Sequence, residues 1–243
     1  MYIYNKKILF SDIDSESNMS LDGILNAMQD CVNINSESIG KGIDYMHQTG
    51  RAWFAISWNI EVKRYPKMFE DVVVKTWPYD FSAMLGYRNV IITDASGNDI
   101  VCADSIWSMV DAHTGLPIKL IEDDYKGYEL EEKYPMESLG RKIKLPRVTD
   151  GQGVFHIADK HKVTKNDIDF NGHMTNGRYI RYADDLITVG TYIKRVRVEY
   201  KAQSKLGEEL TLELFEDIDD GRYLIRFIGT DEKDIRAIVE FCI

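Results

Sequence analysis

Between Asp169 and His173 the chain sets a carboxylate, a carboxamide and an imidazole within five residues, Asp169-Phe170-Asn171-Gly172-His173. Histidine is the side chain whose ordinary pKa best suits proton transfer near neutral pH. An adjacent Asp can orient the imidazole or accept a proton itself, and an Asn amide can hold a water or a carbonyl. The residues that follow turn amphipathic, and a helix is expected from about Asn176 to Val189. Its first turn would aim free backbone N–H groups and a positive dipole end at the same spot. That combination suits hydrolysis by an activated water, with the helix start stabilising an oxyanion on an acyl carbonyl. No Ser or Cys stands in a G-x-S-x-G context, so a nucleophile elbow is not indicated. For His173 alone, a structural capping role competes with catalysis.

The elements that must hold this stretch occur twice. Shifted by 155 positions, SDIDSESNMSLDGILNAMQD (residues 11–30) falls on NDIDFNGHMTNGRYIRYADD. Asp12, Ile13, Asp14, Met19 and Asp30 then meet identical residues, Asp167, Ile168, Asp169, Met174 and Asp185. Shifted by 138 positions, Glu61, Lys63, Lys67 and Glu70 meet Glu199, Lys201, Lys205 and Glu208. The shifts differ by 17 residues, which predicts a longer helix or loop around Ser36–Arg51. Where the second copy has Asn171 and His173, the first has Glu16 and Asn18. One copy is therefore expected to be catalytic and the other to bind or shape.

Each copy reads strand, helix, strands. In the first, strands are expected at 2–10, 53–64, 71–77, 85–93 and 99–111. Its helix runs from Leu21, N-capped by Ser20, with Ile24, Leu25, Met28 and Val32 on one face. In the second, strands are expected at 155–163, 191–202, 209–216, 222–230 and 234–243. Residues 118–153, charged and irregular, read as a connector with room for a short helix. The domain reading is 1–120, a connector at 121–153, and 154–243. A single amphipathic helix per antiparallel sheet buries its apolar face when the sheet curls around it, so the class is α+β.

Composition narrows the function. A net charge of -10 without a basic stripe argues against nucleic acid. No apolar run approaches the ~20 residues of a bilayer span, and the N-terminal MYIYNKKILFSDID lacks a signal-peptide core. A cytoplasmic location is the expectation. Cys31, Cys102 and Cys242 are scattered, with no CxxC or Cys/His cluster, so neither a disulfide framework nor a zinc site is suggested.

Three motifs together, DIDFNGHMTNGRYI, RYPKMFEDVVVKTW (Arg64–Trp77) and ADSIWSMVDAHTG (Ala103–Gly115), resemble the acyl-ACP thioesterases, the plant plastid enzymes and their bacterial relatives. The resemblance covers nearly the whole chain. It implies a double (tandem) hotdog fold, two antiparallel sheets each wrapped around a central helix. It also implies hydrolysis of the thioester that joins a fatty acyl chain to the phosphopantetheine arm of acyl carrier protein, without metal or organic cofactor.

On this resemblance the family's D-x-N-x-H set falls on Asp169, Asn171 and His173. The family's E-Y-R-R-E-C strand reads here Glu199-Tyr200-Lys201-Ala202-Gln203-Ser204. Gln203 stands in place of the Glu, and Ser204 in place of the Cys. A Gln can position water but cannot act as a base, which leaves Asp169 and His173 as the expected proton carriers and argues against a Cys nucleophile. The N-terminal unit would line the acyl chain, with Ile24, Leu25, Met28, Trp53, Trp58 and Trp107 as candidate contacts; core packing is the competing reading of each. Lys194, Arg195, Arg197, Lys201 and Lys205 are candidates for docking an acidic carrier protein. An acyl-CoA thioesterase and a non-catalytic acyl-binding module remain open beside this reading, as do monomer and homodimer.

Overall fold

The computed structural model describes residues 1–146 and 154–243, and these divide into two compact units, Met1–Gly140 and Arg141–Ile243. In the first unit β1 (Tyr2–Lys7), β2 (Arg51–Val62), β3 (Asp71–Ser82), β4 (Leu85–Thr93) and β5 (Asp99–Asp111) form antiparallel ladders in the order β1-β3-β4-β5-β2. Helix α1 (Leu21–Ser38) packs on β1, β3 and β4. Its start follows from Ser20, whose hydroxyl accepts the Gly23 amide at 3.2 Å. Its buried face carries Leu21, Ile24, Leu25, Met28 and Val32 at helical spacing.

The longer segment expected around Ser36–Arg51 is the end of α1 plus a second helix, α2 (Ile43–Thr49), which Gly50 closes in a left-handed conformation. Strand β3 runs past Trp77 to Ser82. The ladder tolerates Pro78 because its register shifts between Pro78 and Asp80. The first strand is shorter than expected, since a 3-10 turn at Phe10–Asp12 follows it.

The stretch read as a connector divides. Residues 121–140 pack on the first unit, and 147–153 lie outside the described residues. Short helix α3 (Glu122–Tyr125) buries Asp124, whose two oxygens take Arg51 Nε at 2.7 Å and Nη2 at 2.6 Å. The Tyr45 hydroxyl adds a third bond at 2.9 Å. Burial pushes the Asp124 carboxyl up, but the Arg51 guanidinium and these donors outweigh it and hold it below its ordinary value. Further on, Tyr134 packs against Trp77, Ile91 and Cys102, and its amide donates to Asn89 Oδ1 at 2.9 Å.

In the second unit β6 (His156–Lys162), β7 (Arg195–Tyr200), β8 (Glu209–Asp217), β9 (Arg222–Ile228) and β10 (Ile235–Cys242) pair antiparallel in the order β7-β10-β9-β8-β6. Helix α4 (Asn176–Asp184) packs on β10 and buries Tyr179, Ile180 and Ala183. It stops five residues short of the expected end at Val189. Asp184 and Asp185 put negative charge at the negative end of the dipole, and apolar spacing lapses beyond Ile187. Strand β7 likewise covers only the centre of 191–202.

Candidate active site

The stretch Ile168–Met174 is a tight reversal closed by an isolated bridge between those two residues. Inside it the Asp169 amide donates to the His173 carbonyl at 2.9 Å, and the Gly172 amide to the Asp169 carbonyl at 3.0 Å. Oδ1 of Asp169 accepts the amides of Asn171 (2.8 Å) and His173 (3.2 Å). Gly172 sits at φ 77°, where a Cβ is disfavoured. The reversal leads through Thr175, whose amide donates to the Asp167 carbonyl at 2.8 Å, straight into α4. Asn171 and His173 are half-buried, as is Asp169, while Phe170 is exposed.

A second segment lies alongside. His173 bridges to Lys205, and the Met174 amide donates to the Ser204 carbonyl at 2.8 Å. The structure thus brings Ser204 and Lys205 alongside Met174 and His173 at the mouth of α4.

The first unit repeats this construction bond for bond. Asp14 stands for Asp169, and its Oδ1 accepts the amides of Glu16 (2.8 Å) and Asn18 (3.0 Å). Ile13 bridges to Met19 and Asn18 to Lys67, and the Met19 amide donates to the Pro66 carbonyl at 2.7 Å. Ser17, at φ 63°, takes the left-handed position of Gly172, and Phe69, at φ 66°, that of Gly207. The carboxylate present in both copies therefore makes the same turn in both. What differs is the imidazole, and also the helix cap. Ser20 caps α1, whereas Thr175 makes no side-chain cap bond to α4.

Burial pulls the His173 pKa below its ordinary value. The Lys205 ammonium pushes the same way, and Asp169 and Glu208 oppose it. The imidazole is thus kept neutral, able to accept a proton, to lower pH than a free histidine. Ser204 is no nucleophile. It is fully buried, and its Oγ accepts the Tyr179 hydroxyl at 2.8 Å. Of Gln203, the backbone carbonyl is engaged, by the Arg236 guanidinium. Burial raises all three thiols, Cys31 to about 12, and disfavours a thiolate.

One polar cluster was not anticipated. Asp167, 1% exposed, anchors the base of the reversal. It accepts the Thr164 amide and hydroxyl, each at 2.8 Å, the Tyr182 hydroxyl, and His161 Nε2 at 3.2 Å. Burial alone would raise its pKa, but these donors, Tyr182 foremost, lower it to about 2. The signal was available in the repeat, where Asp167 matches Asp12; the first copy's Asp12 takes Lys6 Nζ at 3.0 Å.

Among the acyl-contact candidates, Ile24, Leu25 and Met28 are fully buried on α1. Trp58 and Trp107 meet edge to face at 5.9 Å, with Trp58 Nε1 buried and lacking an acceptor. Trp53 packs instead on Phe81. The basic run around Lys194 is corrected in one respect. Arg197 is buried and bound to Glu240 at 2.8 Å and to the Lys142 carbonyl at 3.2 Å, so it offers no docking charge. Lys201 pairs with Glu199 at 3.1 Å, and Lys194 and Lys205 are exposed. Among the described residues no group of three His, Cys, Asp or Glu side chains could hold a metal, and no helix is long and apolar enough to cross a membrane.

Comparison with known proteins bears on the family and the fold. The family model of the acyl-ACP thioesterase N-terminal domain matches residues 1–128, and that of the C-terminal domain matches 155–240. A chloroplastic acyl-[acyl-carrier-protein] hydrolase, FATB2 of Cuphea viscosissima, is 24% identical over 72% of this chain. The match spans 44% of that relative, less than half its length. An acyl-ACP thioesterase structure from Bacteroides thetaiotaomicron superposes with a TM-score of 0.83 at 22% identity, covering 99% of this chain and 96% of that one. The 12:0-ACP thioesterase of Umbellularia californica superposes at 0.81 with 16% identity, covering 99% and 96%. At such identities the likeness establishes the fold, a tandem hotdog.

Proposed function

The chain belongs to the acyl-ACP thioesterase family, and on that premise we propose that it hydrolyses the thioester of fatty acyl-acyl carrier protein to free fatty acid and the carrier thiol. A water held by the Asn171 amide, with Gln203 as a second positioning group, attacks the carbonyl carbon. His173 accepts the water proton as the C–O bond forms. The carbonyl oxygen becomes an oxyanion facing the first turn of α4, where backbone N–H groups and the dipole stabilise it. Collapse breaks the C–S bond, and His173 returns its proton to the departing thiolate.

The observation that carries the reading is the contrast between the two reversals. The turn, the carboxylate and the bridge recur in both, but an imidazole and a helix start without a side-chain cap occur together only in the second. Asp169 shapes the loop and biases His173 by its charge; in this reading it is not the base. The first unit takes the acyl chain against Ile24, Leu25, Met28, Trp53, Trp58 and Trp107. The partner is the acyl carrier protein, in the cytoplasm, and no resident metal or organic cofactor takes part. Assay of the purified protein on acyl-ACP and acyl-CoA tests this. Turnover of acyl-CoA alone would remove the carrier-protein assignment. Hydrolysis of neither, with acyl-ACP still bound, would favour a binding module, which the Gln203 substitution makes the second reading.

A further inference from the structure

The two helices enter the same reversal, but α4 is tied to the flanks of that reversal through Arg178, Tyr179 and Tyr182, whereas α1 meets Arg88 and Tyr128 through Asn35 and Ser36 near its far end. The Tyr179 hydroxyl donates to Ser204 Oγ at 2.8 Å, on the segment facing His173. The Tyr182 hydroxyl donates to Asp167 at the base of the loop, and its ring lies 3.9 Å from that of His161, another Asp167 partner. Arg178 Nε stands 3.7 Å from Asp167, and its Nη2 donates to the Asn166 carbonyl at 3.1 Å. From β7 the Tyr200 hydroxyl reaches the Asn176 carbonyl at 3.0 Å. In the first unit Tyr179, Ser204, Tyr182, Arg178 and Tyr200 are matched by Ile24, Pro66, Ala27, Gly23 and Val62, none of which carries a polar side chain, while Asp12, which matches Asp167, pairs with Lys6 on β1 and with no side chain of α1 at the Tyr182 position.

A buried hydroxyl that lacks a partner is costly, and an apolar core does without one, as the first unit demonstrates. Stability of the reversal therefore does not require these bonds. Proton transfer and oxyanion stabilisation do require fixed geometry, since a displacement of about 1 Å costs roughly a hundredfold in rate. We propose that Tyr179 and Tyr182 are positioning residues, which clamp α4 to the two flanks of the His173 loop and fix the imidazole relative to the helix start. The proposal rests on the thioesterase reading for its kinetic consequence, but the clamp itself is read out independently.

The test takes Tyr179→Phe and Tyr182→Phe, each losing one hydroxyl, with Lys6→Met as control, which breaks the Asp12 link in the first unit. Steady-state kinetics on acyl-ACP and the imidazole NMR signals of His173 are measured for each folded protein. Both Phe variants are expected to lose about tenfold or more in kcat with KM within about twofold, because the lost interaction acts in the transition state. Their His173 signals shift or broaden, and Lys6→Met does neither. Unchanged kcat and unchanged His173 signals in the folded Phe variants would overturn the proposal, as would an equal loss of kcat in Lys6→Met. If the wild type hydrolyses no thioester, the functional reading fails and the His173 signals alone decide the clamp.

Discussion

Asp14 and Asp169 close the same turn in the two units, each offering Oδ1 to the amides two and four residues further on. One lies in a reversal with no imidazole, the other four residues before His173. In both units this carboxylate oxygen holds the backbone turn. The sequence pairs Asp169 with His173 as proton carriers; in the proposed mechanism Asp169 holds the shape of the loop and His173 carries the proton.

Asn in place of Asp keeps a carbonyl oxygen that accepts both amides, whereas Ala keeps none. Asp169→Asn is therefore expected to retain substantial kcat, and Asp169→Ala to lose about a hundredfold through misplacement of His173. Asp14→Ala should lower stability by about 1 kcal/mol per lost hydrogen bond and leave kcat near wild type. Kinetics and urea melts of the three variants check this. Equal inactivation by Asn and Ala would return a proton-transfer role to Asp169.

The pH profile follows from His173. On the proposed mechanism its neutral form is the base, so the rate is expected to fall as pH drops through its pKa, which burial and Lys205 hold below the ordinary value of about 6.5. Lys205→Gln removes one of the two depressing influences. The acid limb of kcat/KM should move to higher pH in that variant. A limb that stays in place would mean that another group is titrating.

Asp167 makes its contribution visible in acid. Its folded pKa of about 2 lies below the unfolded value of about 3.9. The stabilisation is complete above the unfolded value and is lost as pH falls through the folded one. The stability gap between wild type and Asp167→Asn should accordingly be widest near neutrality and close between about pH 4 and pH 2, as read by urea midpoints across that range.

Asp124 offers a test of the first unit apart from the chemistry. Removing one partner of a buried ion pair strands the other, so Asp124→Ala should cost about 3–5 kcal/mol. Chemical denaturation measures the loss, and Arg51→Met combined with Asp124→Leu should recover much of it.

Much of this was legible beforehand. The repeat of Asp12-Ile13-Asp14 at Asp167-Ile168-Asp169 is local, and it disclosed two units, the reversal and the lone imidazole. Strands β4 and β5 matched residue for residue, helped by the Gly97-Asn98 turn between them and by Gly115 and Pro117 after β5. What stayed hidden depends on pairings across the chain. Arg197 looked like surface charge until β10 set Glu240 opposite it. Asp124 lies 73 residues from Arg51, so the charged stretch 121–140 read as a connector although it packs on the sheet. Helix α4 ended early for a local reason, two aspartates at its C-terminus, which its apolar periodicity concealed.

The most direct measurement is hydrolysis of acyl-ACP by wild type and His173→Ala, with released fatty acids and free carrier thiol both quantified. Equal amounts of acid and thiol are expected from the wild type, and a loss of about a hundredfold or more in the variant, the range set for removal of a general base. His173→Ala that turns over acyl-ACP at the wild-type rate would contradict the proposed role of His173.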